Sequence, residues 1–417
     1  MGQNRHMMLI HRWLLWLAMI TLGLSLFSIP PIAICRQTLP PKVIENRENP
    51  KYPGRDAPEL TFKQELSIPL EGGLYSFDVD DAGNMYLLDI LGATVSVYDK
   101  SGKIISKFGK KGQGPGEFGN PICLALSKNS RIHVLDRSRK TVQLFDLKGN
   151  PLDHQLLDSV GVLNSLSFDS GGSVYIQHML AGAALKEGKR LGPQALGLSY
   201  LSKFDSRFDK VMNVDTWEES FHRKSPGGEV LYVLYHDVFC YQIGSDDSLY
   251  YSNSSAYVIH QITPQGQITR IIRKKAKRIP TAQKDLTNIL EEHPDLEQAK
   301  DALRMSDTKP LFADFHILEN IGLLVGTYED EWNDKGVLLC DLFDQNGVYI
   351  ARVTAPRYYI WSQLGVDAEK RNRLFKNGKC YSIVSVEKGE ALALVRHSFE
   401  LRWPGEKPPG LSYQVPR

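Results

Sequence analysis

Short apolar runs, bounded by Asp, Asn and Gly turns and recurring in units of about forty residues, predict an all-β chain folded as a six-bladed β-propeller. Three observations carry that expectation. One phrase repeats: a strand, a polar turn, a second strand, a short gap and a third strand. The longest insertions all fall at joints that a propeller places on one face. An extra strand precedes the first repeat without a repeat of its own, as a ring closed by its N-terminal end requires.

The phrase is clearest twice. Phe77-Asp78-Val79 passes through Asp80-Asp81-Ala82-Gly83-Asn84 to Met85-Tyr86-Leu87-Leu88-Asp89 and on to Val95-Ser96-Val97-Tyr98. Leu124-Ala125-Leu126 leads to Ile132-His133-Val134-Leu135-Asp136 and Val142-Gln143-Leu144-Phe145. Looser copies start near Leu166, Tyr241 and Phe315, and a sixth joins residues 379–384 to 392–395. A small sheet of this kind cannot cover both its faces, so each packs on the next. Residues 61–68 are expected to complete the last blade. The expected propeller spans 61–402, with a helical-hairpin insertion at 273–310 and a C-terminal tail at 403–417.

Composition excludes some functions. The formal net charge of +2 in 417 residues comes from Arg5 and Arg12, because residues 1–35 hold no Asp or Glu and the rest balances 48 basic against 48 acidic groups. A neutral body argues against a general nucleic-acid binder, which needs excess cations to neutralise phosphates.

Arg5, His6, His11 and Arg12 precede an apolar run at 13–27, the pattern of a signal or anchor helix over residues 1–35. Three outcomes are open: a cut before Arg36 with Ala33 and Cys35 as the small residues, retention as a membrane anchor, or lipid attachment at Cys35. Each places residues 36–417 outside the cytoplasm, in a periplasm or at a cell surface. Residues 36–60, with Pro40, Pro41, Pro50, Pro53 and Pro58, read as a Pro-rich extended linker. Cys123, Cys240, Cys340 and Cys380 sit far apart in apolar runs, as buried thiols rather than a disulfide or metal framework.

The stretch GKKGQGPGEFG at 109–119 spaces Gly114, Gly116 and Gly119 as G-x-G-x-x-G. A dinucleotide fingerprint needs a helix to follow, and here Pro115 removes a loop donor while the apolar run after Pro121 reads as a strand. The stretch is therefore a strand-to-strand connector.

These residues also carry a family resemblance. Residues 112–150 resemble one NHL repeat through Gly114-Pro115-Gly116-Glu117-Phe118, Pro121, His133-Val134-Leu135-Asp136 and Val142-Gln143-Leu144-Phe145-Asp146, and residues 73–108 are a second match. Where the family usually has Asn-x-Arg before the third strand, Gly92-Ala93-Thr94 and Arg139-Lys140-Thr141 stand instead. The chain resembles the exported six-bladed NHL-like propellers of bacteria. The resemblance implies that the glycine loop passes from one blade's outer strand to the next blade's inner strand, with Phe118 tucked between blades. The RNA binding of cytoplasmic NHL proteins conflicts with the signal segment and the neutral body.

The insertions at 178–199, 213–232, 273–310, 328–336 and 355–364 share the face called top here. Long loops in a compact domain point to function. The basic run 273–278 offers itself to solvent, to an acidic partner or to anionic headgroups, and helices are expected to start at Pro280-Thr281 and at Pro294. Trp217, Phe221, Trp332, Tyr358, Tyr359 and Trp361 are candidate binding residues, with packing of the hairpin onto the ring as the alternative for each. The sequence holds no H-E-x-x-H, G-x-S-x-G or EF-hand motif. His236, Asp237, Asp314 and His316 lie at the starts of inner strands, where they would serve a Zn- or Ca-dependent hydrolase or lyase at the top of the channel. The leading expectation is an exported, non-enzymatic, monomeric scaffold without a cofactor. It would bind a protein, peptide or envelope component, bind no nucleic acid, and touch a membrane only through its N-terminal segment.

Overall fold

A computed structural model describes residues 40–71, 73–157, 161–181, 197–218, 222–225, 230–292, 294–333, 336–357, 373–386 and 392–405. The expected signal or anchor helix at 1–35 lies outside these residues, as do 406–417 of the tail. Among the described residues no helix is long and apolar enough to cross a membrane.

Chain order begins with β1 (Lys42–Asn46), a 3-10 turn at Gly54–Asp56 and β2 (Glu59–Leu70). Blade 1 is β3 (Tyr75–Val79), β4 (Met85–Asp89), β5 (Thr94–Tyr98) and β6 (Ile104–Phe108). Blade 2 is β7 (Pro121–Ser127), β8 (Arg131–Asp136), β9 (Thr141–Phe145) and β10 (Pro151–Leu156). Blade 3 is β11 (Val162–Phe168), β12 (Val174–Ala181), β13 (Gly197–Phe204) and β14 (Lys210–Glu218). Two short strands follow, β15 (His222–Lys224) and β16 (Val230–Leu234). Blade 4 is β17 (Phe239–Ile243), β18 (Leu249–Asn253), β19 (Val258–Ile262) and β20 (Ile268–Lys274).

The insertion then holds α1 (Gln283–Glu292), a 3-10 helix at Pro294–Ala302 and β21 (Leu303–Met305). Blade 5 is β22 (Asp314–Leu318), β23 (Gly322–Gly326), β24 (Val337–Asp344) and β25 (Tyr349–Pro356). Blade 6 starts with β26 (Arg373–Lys376), β27 (Lys379–Ser385) and β28 (Leu392–Arg402). β2 completes it, running antiparallel to β28 from Glu59 opposite Arg402 to Leu70 opposite Leu392. The six repeats are six blades, and the ring closes through the N-terminal strand as expected.

Turn chemistry punctuates the blades. Asp99 Oδ1 accepts the amides of Ser101 and Lys103 at 2.8 and 3.0 Å, and Asp146 Oδ1 does the same for Lys148 and Asn150 at 2.9 Å each. Gly102 and Gly149 close these turns at φ 87° and 90°, a region a side chain rarely enters. The core lies between blades rather than within them. Phe77 and Val79 of blade 1 pack on Ile383 and Leu394 of blade 6, while Tyr86 and Leu88 share a cluster with Leu124 and Ile132 of blade 2.

Of the expected linker at 36–60, the described residues from 40 onward are packed on the ring. β1 adds to blade 4 as a fifth strand, parallel to β20 with Lys42 opposite Arg270 and Asn46 opposite Lys274. The amides of Lys51 and Tyr52 then donate to the carbonyls of Tyr349 and Ile350 on blade 5, both at 3.0 Å. The Tyr52 ring meets Trp403 edge-on at 5.2 Å, so the C-terminal tail starts as packed chain. Prolines mark this segment because it runs along sheet edges, where a missing amide is tolerated.

The hairpin expectation is corrected at its first helix. Pro280 pairs with Thr308 in an isolated bridge and the Thr281 amide donates to Asp307 O at 3.1 Å, which keeps 280–281 extended. α1 starts later, where Asp285 Oδ2 accepts the Ala282 amide at 2.8 Å. The second helix starts at Pro294 as expected but winds as a 3-10 helix, which leaves Ala299 exposed and puts Leu303 on a strand. Cys123, Cys240, Cys340 and Cys380 are free thiols.

Candidate functional site

On the top face the insertion is fastened by a buried ion cluster. Lys309 Nζ donates to Asp285 Oδ1 of α1 at 2.8 Å and to Glu331 Oε1 of the blade 5 loop. Tyr235 OH donates to the same Glu331 oxygen at 2.8 Å, and Trp332 Nε1 donates to Asp285 Oδ1 at 3.1 Å. Burial raises the Glu331 carboxyl above its ordinary range, while the Lys309 ammonium pulls the other way. Ile289 and Leu303 pack with Tyr235 and Tyr328 beside the cluster, and β21 pairs parallel with β16. The outward side is polar, with Gln283, Lys284, Thr287, Glu291, Glu297 and Lys300 exposed.

Two candidate binding aromatics are half-buried and have internal partners. Trp332 is held by Asp285 under the insertion, with the Arg357 guanidinium 4.7 Å from its ring. Trp217 stacks on Phe239 of blade 4 at 3.7 Å with an interplanar angle of 5°. Phe221, Tyr358, Tyr359 and Trp361 lie outside the described residues. Four of the five cations of the basic run have internal partners, Arg273 with Glu45 at 3.0 Å, Lys274 with Asp341 at 3.1 Å, Lys277 with Glu48 at 3.9 Å and Arg278 with Asp237 at 2.8 Å, while Arg273, Lys275 and Lys277 stay exposed. Two of those carboxylates belong to the N-terminal segment.

In the channel, side chains of one blade bond to the inner-strand amides of the next at two places, from blade 1 to blade 2 and from blade 4 to blade 5. Ser76 Oγ accepts the Leu124 amide at 3.0 Å and Asp78 Oδ2 accepts that of Leu126 at 2.9 Å. Gln242 Oε1 accepts the Ile317 amide at 2.9 Å, which turns its Nε2 to donate to His316 Nδ1 at 3.0 Å. The His316 proton then sits on Nε2, facing Asp314 Oδ2 at 2.9 Å. His236 instead donates from Nδ1 to Val233 O at 3.1 Å, and Asp237 is the partner of Arg278. Of the four residues named for a channel metal, Asp314 is thus bonded to His316, and Asp237 to Arg278. Among the described residues no group of three or more His, Cys, Asp or Glu is arranged to hold a metal ion.

The opposite, bottom mouth of the channel opens into a cavity of about 490 Å³, to which all six blades contribute, among them Asp78, Lys128, Phe168, Asp247, Glu319 and Lys376. Sequence reasoning missed it because its lining comes from the short first-to-second-strand turns, each unremarkable alone. A second, open groove of about 640 Å³ runs beside the glycine loop, between Pro115 and the outer strand β10. The loop itself is architecture, as the resemblance implies. Phe118 is fully buried between blades 1 and 2, Glu117 Oε2 accepts the Gly114 amide at 2.8 Å, and Asp136 accepts the amides of Gly119 and Asn120 at 2.6 and 3.0 Å.

The ring, its closing strand and its channel define the class: the protein is a six-bladed β-propeller. The DUF5128 family model, described as a 6-bladed beta-propeller, matches residues 75–257, from β3 to just short of β19. Among solved structures, the chain is similar to a Bacteroides fragilis protein named as a candidate exported protein, at 14% identity over 87% of this chain and 99% of that one, with a TM-score of 0.45. A DUF4221 family member from Bacteroides vulgatus is 9% identical over 84% of this chain and 100% of that one, with a TM-score of 0.49. Virginiamycin B lyase from Staphylococcus aureus is 12% identical over 81% and 99%, with a TM-score of 0.41. No curated protein matches the sequence.

Proposed function

We propose that the protein is an exported, non-enzymatic binding scaffold that presents the top face of its propeller to a protein, peptide or envelope component. One observation supports this reading above the others: the insertion of α1 and the 3-10 helix is tied to the ring by the Lys309, Asp285 and Glu331 cluster while its outward side stays polar and exposed. A platform fixed in advance loses little conformational freedom when a partner docks. The signal pattern of residues 1–35 supports a working place outside the cytoplasm, and the sequence carries no familiar catalytic motif.

The test is affinity capture from an envelope extract with the full chain in detergent, beside a variant carrying Lys284→Glu, Glu291→Lys, Glu297→Lys and Lys300→Glu. These side chains are exposed, so the ring should fold unchanged. A partner held by the first protein and lost by the second supports the top face. A partner held equally by both moves the working surface elsewhere.

A further inference from the structure

The outer rim of the ring has two unlike halves. On blades 4 and 5 the N-terminal segment bonds to the outer strands β20 and β25, and β2 is itself the outer strand of blade 6. On blades 1 to 3 no described residue pairs with the outer edges of β6, β10 and β14. Exposed aliphatic side chains gather there: Ile104 and Ile105 on β6, Leu152 and Leu156 on β10, Val211 on β14.

A bare edge is a template for another strand, and this molecule already uses one that way where β1 adds to β20. The richest case is β10. Leu152 is 48% and Leu156 60% exposed, and with His154 they line the groove beside the glycine loop. Asp153 Oδ1 holds the His154 amide at 2.8 Å, standing in for a strand that is not there. On the groove floor the Thr141 hydroxyl is buried without a hydrogen-bond partner among the described residues.

We propose that β10 pairs with β10 of a second copy of this chain, antiparallel about a two-fold axis at His154. The sequence Leu152-Asp153-His154-Gln155-Leu156 keeps one apolar and polar pattern in both directions, although Asp153 stands against Gln155. In that register Leu152 of each copy faces Leu156 of the other, Asp153 faces Gln155, and the two histidines meet at the axis. A two-fold contact demands such self-complementarity, and apolar cross-strand pairs are what stabilise a sheet edge. A five-residue edge buries less than the roughly 1,000 Å² of a stable interface, so the dimer is weak and reversible. It stands in place of the monomer expected from the sequence, and it is independent of the top-face reading.

Oxidative cross-linking of the full chain in detergent tests the pairing, with His154→Cys at the axis and Leu91→Cys, exposed on a top turn, as the control. The proposal expects the His154→Cys protein to form a covalent dimer through its introduced thiol at least about tenfold faster than the control, as a direct cross-strand pair within disulfide reach allows. Adding Leu152→Lys and Leu156→Lys should return it to the control rate, with circular dichroism showing both proteins folded. Two results would overturn it: His154→Cys linking at the control rate, or fast linking that the lysines leave untouched.

Discussion

Asn46 Oδ1 accepts the backbone amide of Tyr349 at 2.7 Å, across 303 residues of chain. The same side chain donates from Nδ2 to Arg273 O at 3.1 Å and to Gly347 O at 3.0 Å. One buried amide therefore ties the N-terminal segment to blades 4 and 5 together. Asn46→Ala should cost about 2 kcal/mol, because it leaves a buried amide and two carbonyls short of a partner. Urea unfolding checks this, and an unchanged midpoint would mean that the segment adds nothing to the ring.

The Lys309 cluster gives a larger expectation. Lys309→Met leaves the Asp285 and Glu331 carboxylates facing each other in a site from which water is excluded, and breaking a buried pair on one side costs about 3–5 kcal/mol. The loss should appear as a lower Tm and as faster amide exchange across residues 283–305, with blades 1 and 2 unaffected. Uniform loosening of the whole ring would show that the cluster is not a local fastening.

Acid should unfold the protein through two imidazoles. Burial lowers His133 to about 4, with the Arg131 charge adding to it, and lowers His178 to about 4, with Lys210 adding. Both are neutral in the fold, where His133 Nε2 meets Ser127 Oγ at 3.0 Å and His178 Nε2 meets Ser202 Oγ at 3.0 Å. In the unfolded chain each takes up its proton near pH ~6.5. Stability is thus fully present above about pH 6.5 and falls by about 1.4 kcal/mol per pH unit for each ring as pH drops toward 4. Urea unfolding at several pH values should show that slope in the wild type and a much flatter one in His133→Gln/His178→Gln.

A glycine of the loop and a glycine of the blade 3 turn should tolerate change unevenly. Gly109 has φ 83°, and a Cβ there would stand 2.4 Å from the Phe118 ring, so Gly109→Ala should cost about 3 kcal/mol. Gly171 has no such angle, and its nearest neighbour for a Cβ is Asp169 Oδ1 at 3.4 Å, so Gly171→Ala should be close to neutral. Comparable losses at the two positions would contradict the architectural account of the loop.

The sequence by itself determined the blade count, the closing strand and the role of the glycine loop. These rest on signals confined to a few neighbouring residues: alternating apolar positions, Asp-initiated turns, and glycines where φ is positive. Tertiary structure alone decided which residues those signals leave for function. Trp217 and Trp332 read equally as binding or packing residues until Phe239 and Asp285 came beside them, and no local pattern pairs Arg273 and Lys277 with Glu45 and Glu48, which lie more than two hundred residues away. Residues 42–46 looked like linker because a five-residue edge strand has no face of its own and becomes one only against β20. The physical reason is common to all of these. Local pattern dictates backbone geometry over a turn or a strand, whereas the burial of a side chain, its charge partner and its openness to a ligand depend on atoms that the closing of the ring brings near.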